Sequence, residues 1–354
     1  MSIALPDFPW DTIAEARAKA ESHPDGIVDL SVGTPVDPVA PGIQLALSQA
    51  AAAPGYPATA GTPELQQAIK DSLARRYGMT GIERVLPVVG TKEAIAWLPT
   101  VLGLGKGDTV VIPELAYPTY EVGAILGNCE VVRSDAPVPA ALMYVNSPSN
   151  PTGAVRSAEE LRELVQFARA HKMVLASDEC YLGLGWGTEP VSILDPEVCG
   201  GDHTGLIAIH SLSKTSNMAS YRAGYFAGDP ELISKLLTVR KHAGLMVPGP
   251  IQAAMVAALT QDDHEQVQKL VYAKRRAGLL EAVVNAGFTV DHSEAGLYLW
   301  ATRGEACRAT VDWFAERGIL VAPGEFYGPS GQHHVRIALT ATNERIDAAI
   351  SRLA

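Results

Sequence analysis

The chain has 354 residues, of which 47% are hydrophobic and 19% are charged, with 32 glycines and 24 prolines. This composition is typical of a globular protein with many turns, and the length suits one large domain or two that share a core. The formal net charge of -11 provides no basic surface for phosphate backbones, so we expect no nucleic-acid partner.

The cysteines and the apolar stretches argue against several other classes of protein. Four cysteines are scattered without a C-x-x-C pair, so the sequence indicates neither a metal site nor a disulfide framework. The first residues, MSIALPDFPWD, lack a basic segment followed by an apolar one, and no apolar stretch approaches the roughly 20 residues of a membrane helix. We therefore predict a cytoplasmic protein without a membrane partner.

Helix and strand patterns alternate from about residue 62. Thr62-Pro63 is typical of a helix start, and apolar residues then recur at helical spacing as far as Tyr77. Short buried strands are predicted at VLPVVG, TVVIPE, EVVRSD, ALMYV, MVLAS and GLIAIHS. Between them, helices are predicted from about Thr91, from Pro118 to Leu126, and after a capping box at Ser157 and Glu160. This alternation predicts an α/β fold with a mostly parallel central sheet flanked by helices.

The pattern changes after about residue 245. Long helices are followed by FTVDH, GLYLWAT, ILVAPG and VRIALT with shorter connections, which indicates a smaller α+β unit. We predict a large domain at residues 40–245 and a small domain composed of residues 1–39 and 246–354.

Four polar segments directly follow predicted strands. They are Gly90–Lys92, Asn150–Gly153, Asp178–Tyr181 and Ser211–Lys214. Ligands of parallel sheets bind outside the carboxyl ends of the strands, so we expect these segments to meet at one edge.

Together with Arg222, these segments carry the groups that one cofactor needs. A helix start after Gly90, with hydroxyls and an arginine, can hold a phosphate. An amine that loses its proton, such as Lys214, can form a Schiff base with an aldehyde. A buried carboxylate can hold a pyridinium proton, and an amide and a phenol can bind a phenolate oxygen. This combination matches pyridoxal 5'-phosphate.

A family resemblance follows from the order of these motifs. The spacing S-x-x-K-x7-R from Ser211 to Arg222, preceded by N-P-T-G and D-x-x-Y, resembles the class I/II aminotransferases of the fold-type I pyridoxal-phosphate family. The likeness covers about residues 30–339. The stretches GYPATAGTPELQQAI and PELAYPTY are most similar to the N-succinyl-diaminopimelate aminotransferases.

The resemblance implies roles around the cofactor ring. Lys214 would bind the cofactor and later move the proton between the substrate Cα and the cofactor. Asp178 would pair with the pyridinium nitrogen, Asn150 and Tyr181 would hydrogen-bond the ring oxygen, and Tyr117 would stack on the ring.

The resemblance also implies how the phosphate would be held. Ser211 and Arg222 would bind it, with Thr91 and Lys92 contributing at the helix start. Tyr56 would reach the phosphate of the partner subunit, which implies a homodimer with shared active sites.

The substrate would be bound by Arg336 and its neighbours. Arg336 would hold the α-carboxylate, Asn150 would lie beside it, and Gly33 would lie where a side chain would collide. An arginine inside an apolar strand is costly unless an anion meets it, which favours a ligand role for Arg336 over a surface ion pair.

Several of these residues have plainer explanations. Asp178 can cap a helix or form a turn, and Asn150 before a proline can simply form a turn. Tyr56 and Tyr117 can pack in proline-flanked turns, and Lys92 can lie solvated at a helix start.

Two other motifs suggest functions, but each lacks part of the sequence signature of that function. The glycine-rich stretch from Gly103 to Asp108 lacks the G-K-[ST] ending of a phosphate-binding loop and is better explained as a turn. His210 beside Ser211 and Ser213 suggests a hydrolase, but no G-x-S-x-G elbow surrounds either serine.

The predicted reaction is transfer of an amino group from glutamate to a keto or aldehyde acceptor. N-succinyl-2-amino-6-oxopimelate, in the diaminopimelate branch of lysine biosynthesis, is the acceptor that the resemblance favours. Residues 242–252, HAGLMVPGPIQ, contain no arginine for a distal aspartate carboxylate, which argues against aspartate. The candidates for the succinyl carboxylate are Arg17, Lys19 and the Arg240-Lys241 pair.

Three alternatives are weighed against this prediction. One is a broader aminotransferase for neutral or aromatic amino acids, and another is a pyridoxal-phosphate-dependent C–S lyase that uses the same lysine, aspartate and arginine. The third, a transcription regulator on this fold, needs a DNA-binding domain, and we expect the residues before Leu30 to be too few to supply one.

Overall fold

The computed structural model describes residues 4–354, so residues 1–3 of the predicted small domain lie outside the described part of the chain. The strands are β1 (Val28–Asp29), β2 (Arg84–Val89), β3 (Thr109–Ile112), β4 (Glu130–Arg133), β5 (Leu142–Asn146), β6 (Val174–Asp178), β7 (Leu206–Ser211), β8 (Ala223–Gly228), β9 (Thr289–Asp291), β10 (Tyr298–Thr302), β11 (Ile319–Leu320), β12 (Ala322–Pro323) and β13 (His334–Ala338).

The helices cover much of the remaining chain. They are α1 (Ala14–Glu21), α2 (Pro41–Gln49), α3 (Pro63–Tyr77), α4 (Thr91–Val101), α5 (Thr119–Leu126), α6 (Ala158–Ala170), α7 (Pro196–Cys199), α8 (Pro230–Ala243), α9 (Gly249–Thr260), α10 (Asp263–Asn285), α11 (Cys307–Ala315) and α12 (Asn343–Leu353). Short 3-10 turns lie at Pro9–Ile13, Ala219–Tyr221, Gly324–Phe326 and Pro329–Gly331. No helix within residues 4–354 is both long enough and apolar enough to span a bilayer.

A seven-stranded sheet forms the centre of the large unit, in the order β2-β8-β7-β6-β5-β3-β4. Strands β3 to β7 pair in parallel, whereas β8 runs antiparallel to both of its neighbours, β2 and β7. The predicted α/β class with a mostly parallel sheet is confirmed. Because β8 reverses direction between two strands that point the same way, the carboxyl ends of β2, β5, β6 and β7 lie at one edge.

Local sequence signals set the helix ends. The Thr62 hydroxyl accepts a hydrogen bond of 3.2 Å from the Leu65 N–H, Pro63 begins α3, and the left-handed Gly78 ends it. At α6 the predicted capping box is present, since Ser157 and Glu160 each bond the other's backbone N–H.

Both faces of the large sheet are covered by apolar side chains. One face packs against α3 and α6 through residues such as Leu73 and Val165, and the other packs against α4 and α5 through Leu98 and Tyr120. Burial on both faces explains why the strands between them are continuous apolar runs.

A smaller antiparallel sheet, β12-β13-β10-β9, has its own core. This core joins Ile13 and Leu30 from the N-terminal segment to Leu299, Phe314 and Leu339 from the last hundred residues. Strands β1 and β11 pair in parallel beside it. The stretch ILVAPG therefore forms two short strands, β11 and β12, which belong to different sheets.

Helix α9 packs differently from what its position in the sequence suggested. Its buried residues Met255 and Leu259 belong to the apolar cluster of the large sheet, and α9 lies against α2 and α3. The division at residue 245 remains a prediction, and this packing favours a boundary that follows α9.

Candidate active site

A cavity of about 440 Å³ lies at the carboxyl edge of the large sheet, beside the smaller sheet and the N-terminal segment. Eleven of the twelve predicted site residues line it: Gly33, Thr91, Lys92, Tyr117, Asn150, Asp178, Tyr181, Ser211, Lys214, Arg222 and Arg336. The twelfth, Tyr56, does not line it and is 98% exposed. The topology explains the convergence, because the strand ends that carry these residues share one edge.

Lys214 lies in the loop after β7 and is half-buried. Its ammonium group donates a hydrogen bond to the backbone carbonyl of Gly33. Burial lowers the pKa of Lys214, the charges of Arg336 and Arg222 lower it further, and Tyr298 and Cys180 act in the opposite direction. A lysine whose pKa is lowered in this way is more easily deprotonated and is a better nucleophile.

Asp178 ends β6 and is buried. Its Oδ2 accepts a hydrogen bond of 2.7 Å from the Tyr120 hydroxyl, and its Oδ1 accepts one of 3.2 Å from the Cys180 N–H. Burial raises the pKa of Asp178, and among residues 4–354 no ion pair includes it. A buried carboxylate without a cationic side chain is costly, so this site suits a ligand that brings a positive charge.

Arg336 lies on β13 and is only 3% exposed. Its two terminal nitrogens donate to neutral oxygens, one to Asn150 Oδ1 and one to the Ser31 carbonyl, each at 2.8 Å. Its Nε has no hydrogen-bond partner within the described residues, and no ion pair there includes it. A buried guanidinium held only by neutral oxygens is suited to bind an anion, such as a substrate carboxylate.

A second anion site is formed where α4 begins. Gly90 precedes the helix with a φ of 76°, and no side chain caps the first N–H groups of α4, which leaves them as donors for a ligand. A Cβ atom at residue 90 would collide with the Arg222 guanidinium. Ser211 lines the same cavity, and its hydroxyl accepts a hydrogen bond of 3.1 Å from the Ser213 N–H. Helix N–H groups, a hydroxyl and an arginine together suit a phosphate.

Lys92 and Tyr117 line the same cavity. The Lys92 ammonium group lies 5.7 Å from the centre of the Phe8 ring and 5.9 Å from that of Tyr117. Partial burial of this group and the charge of Arg222 lower the pKa of Lys92. Burial raises the pKa of Tyr117 to about 12.

The structure adds functional candidates that the sequence analysis missed. Tyr120 bonds Asp178, and the Tyr298 hydroxyl lies 2.9 Å from the Tyr181 hydroxyl. The aromatic residues Phe8 and Trp10 also line the cavity. One signal for Tyr120 was available, since it lies three residues after Tyr117 at the start of α5, but Tyr298 is concealed inside the apolar stretch GLYLW.

The donor set fits pyridoxal 5'-phosphate because each part of that molecule has a complement in the cavity. The cavity contains a lysine of lowered pKa, a buried carboxylate without a cationic partner, and an anion site at a helix start. The family model for aminotransferase class I and II matches residues 25–353. The chain belongs to this family. It is accordingly a pyridoxal-phosphate-dependent aminotransferase, and its predicted fold-type I architecture is confirmed.

Similar proteins are known at several levels of identity. This aminotransferase is 64% identical to a probable aminotransferase of Mycobacterium tuberculosis, over 100% of this chain and 86% of that protein. It is 54% identical to the 4-dedimethylamino-4-oxo-anhydrotetracycline transaminase OxyQ of Streptomyces rimosus, over 99% of each chain. The solved structure of a probable N-succinyldiaminopimelate aminotransferase from Thermus thermophilus matches with a TM-score of 0.87 and 27% identity, covering 98% of this chain and 99% of that one.

Proposed function

We propose that this aminotransferase moves an amino group from glutamate to N-succinyl-2-amino-6-oxopimelate in lysine biosynthesis, and that it acts in the cytoplasm as a homodimer. The name of the Thermus thermophilus neighbour supports this acceptor class. The observation that carries the proposal is a second arginine, Arg17, that lines the same cavity as Arg336.

In this proposal the ring-binding residues act as follows. Lys214 would bind the cofactor in the resting enzyme and would move a proton at the substrate Cα. Asp178 would keep the positive charge on the ring nitrogen, and Asn150 and Tyr181 would hydrogen-bond the ring oxygen. Bound pyridoxal phosphate supplies an electron sink that makes this proton acidic. Tyr117 contacts the ring.

The remaining residues hold the phosphate and the substrate. Thr91, Lys92, Ser211 and Arg222 bind the phosphate, and Arg336 binds the α-carboxylate. Gly33 leaves room for Tyr298, because a side chain at residue 33 would collide with that ring.

Arg17 stands apart from the other basic candidates for the succinyl carboxylate. Lys19 points to Asp312, with 3.3 Å between Nζ and Oδ1. Arg240 is buried and bound by Glu93 at 2.8 and 3.1 Å. Neither of these two nor Lys241 is among the cavity-lining residues, whereas Arg17 is.

A short hydrogen-bond chain connects Arg17 to Arg336. Arg17 donates to Asp29 Oδ2 at 2.8 Å, and Asp29 Oδ1 accepts from the Ser31 N–H and hydroxyl at 3.0 and 2.6 Å. The Ser31 carbonyl in turn accepts from Arg336. Asp29 engages one nitrogen of Arg17, and Glu21 lies 4.0 Å from another without a hydrogen bond, so guanidinium donors remain for a ligand carboxylate.

A second candidate acceptor is a neutral or aromatic ketone. The aromatic side chains Phe8, Trp10 and Tyr117 line the cavity, and the OxyQ relative carries the name of a transaminase for a ring ketone. The two candidates differ in their need for Arg17, because a neutral acceptor has no distal carboxylate.

The acceptor is tested by stopped-flow spectroscopy on enzyme that has first been converted with glutamate. The visible absorption of the resting enzyme is expected to return faster with the succinylated acceptor than with oxaloacetate or phenylpyruvate. Arg17→Gln is expected to slow the return with the succinylated acceptor by about ten- to a hundredfold, the value of a charge-assisted hydrogen bond. The glutamate half-reaction is expected to change much less.

Lys19→Gln is the matched control, because Lys19 is a basic residue on the same helix but outside the cavity. It should leave all the rates close to those of the wild type. Equal rates with all acceptors, or equal effects of the two variants, would contradict the proposed acceptor and favour the aromatic alternative.

The homodimer is proposed because the family resemblance implies that Tyr56 of the partner subunit reaches the phosphate. Lys92 and Arg222 line the cavity and are exposed, and Tyr56, which does not line it, is exposed as well, so all three are open to contact by a second chain. We expect the protein to sediment as a dimer, with Tyr56 of the partner subunit on the phosphate. Tyr56→Phe should then weaken retention of the cofactor by roughly tenfold, measured as the dissociation constant from the visible absorption. A monomer with full cofactor affinity would show that this proposal is wrong.

A further inference from the structure

Tyr298, the first residue of β10, contacts two of the groups assigned above. It is 3% exposed and lines the cavity. Its hydroxyl lies 2.9 Å from that of Tyr181, and its ring centre lies 3.9 Å from the guanidinium carbon of Arg336. One phenol therefore touches both the proposed ring-oxygen ligand and the proposed carboxylate ligand.

The Tyr298 ring has little freedom to move. The backbone of Gly33 lies so close that a Cβ atom there would collide with the ring and its hydroxyl. Arg336 stacks on the ring, and Tyr181 meets it edge-on with 5.8 Å between the ring centres. The hydroxyl is thus held at one position.

The surrounding charges indicate which of the two phenols donates the hydrogen bond. The titratable groups with the largest effects on Tyr298 are Arg336 on β13, Lys214 after β7, and Cys180 and Tyr181 after β6. The neutral phenols Tyr117, Tyr272 and Tyr327 also face it. Cations attract the lone pairs of an oxygen and repel its hydrogen, so Arg336 and Lys214 favour a Tyr298 hydrogen directed toward Tyr181. Burial opposes ionisation of both phenols and Arg336 lowers the pKa of both, but Lys214 lowers that of Tyr298 as well. Tyr298 therefore lies in the more cationic surroundings of the two.

We infer that Tyr298 is a positioning residue that donates to the Tyr181 hydroxyl and so leaves the Tyr181 hydrogen for the oxygen of a bound ligand. A hydroxyl that accepts one hydrogen bond donates a stronger one. The inference rests on the role proposed above for Tyr181 and is independent of which acceptor the enzyme uses.

The test is a pH titration of the visible absorption of the cofactor-bound protein. Tyr181→Phe is expected to raise the titration midpoint, because it removes the hydrogen bond from the Tyr181 hydroxyl that would stabilise the deprotonated form of the bound cofactor. Tyr298→Phe keeps the ring on Arg336 and removes only the hydroxyl, so it should raise the midpoint by about half a pH unit, within the range of one neutral hydrogen bond. The Tyr181→Phe/Tyr298→Phe double variant should shift no further than Tyr181→Phe alone.

Tyr327→Phe is the matched control. Tyr327 is a buried phenol whose ring also lies near Arg336, at 5.0 Å, and its hydroxyl has no hydrogen-bond partner within the described residues. It should leave the midpoint unchanged. If Tyr181→Phe shifts the midpoint and Tyr298→Phe does not, or if the two shifts add in the double variant, the inference is wrong. If Tyr181→Phe itself causes no shift, the proposed role of Tyr181 fails and the inference fails with it.

Discussion

Replacing Lys214 with alanine is expected to remove the visible absorption of the cofactor-bound enzyme and to slow transamination by about a thousandfold or more, since a group that transfers protons contributes up to about four orders of magnitude. Lys214 is partly enclosed, has a lowered pKa and lines the same cavity as Arg336. Lys92, which also lines the cavity and has a lowered pKa, lies instead beside Arg222 and the rings of Phe8 and Tyr117. Absorption spectra and single-turnover rates measure both effects.

The control for this prediction is Lys235→Ala on the exposed face of α8, which should behave like the wild type. Borohydride reduction followed by peptide mapping gives an independent check, because the cofactor should be recovered on the peptide of Lys214. Lys92 is the other lysine that lines the cavity, and recovery of the cofactor on Lys92 would overturn the assignment of the site.

Replacing Asp178 with asparagine or alanine is expected to slow both half-reactions by two or more orders of magnitude. In the proposed role, Asp178 would hold the proton of the ring nitrogen; without this carboxylate the ring would be neutral, and a neutral ring is a poor electron sink. Asparagine keeps an oxygen for the Tyr120 hydroxyl and removes only the charge. Half-reaction rates within about tenfold of wild type, equivalent to about 1.4 kcal/mol, would refute the role of Asp178.

A stability measurement separates this effect from misfolding. The pKa of Asp178 is raised in the folded protein, so its ionisation favours unfolding at any pH above the ordinary carboxyl pKa. Asp178→Asn should therefore preserve or raise the melting temperature of the cofactor-free protein at neutral pH. A variant that is inactive and also melts much lower would indicate a structural defect instead.

Much of the candidate site was predictable because its residues directly follow recognisable strands. Asn150, Asp178 and Lys214 each come shortly after an apolar run, and the ends of parallel strands meet at one edge whatever the details of packing. Arg336 was predictable for a different reason, since a charge within an apolar strand requires a partner.

Other features depend on contacts that no local pattern encodes. Tyr298 lies in an apolar strand, and which of its alternating side chains faces the cavity is known only once β10 has paired with β13. Strand β8 was not predicted because AGYFAG contains two glycines and no clear alternation. Helix α9 follows the large domain in sequence but packs back onto it, and such a return is decided by tertiary contacts between α9, α2 and α3.

The hydrogen-bond chain from Arg17 through Asp29 and Ser31 to Arg336 has a consequence for how substrates are sorted by size. The two arginines are held by residues only two positions apart on a short backbone segment, which spans about 6 to 7 Å when extended. While both hydrogen bonds are kept, this segment limits how far apart the two guanidinium groups can lie. If both arginines bind carboxylates, the cavity would select dicarboxylates by the distance between their two carboxylate groups. Shortening or lengthening the segment around Ser31 would then change the preferred substrate length without any change in charge.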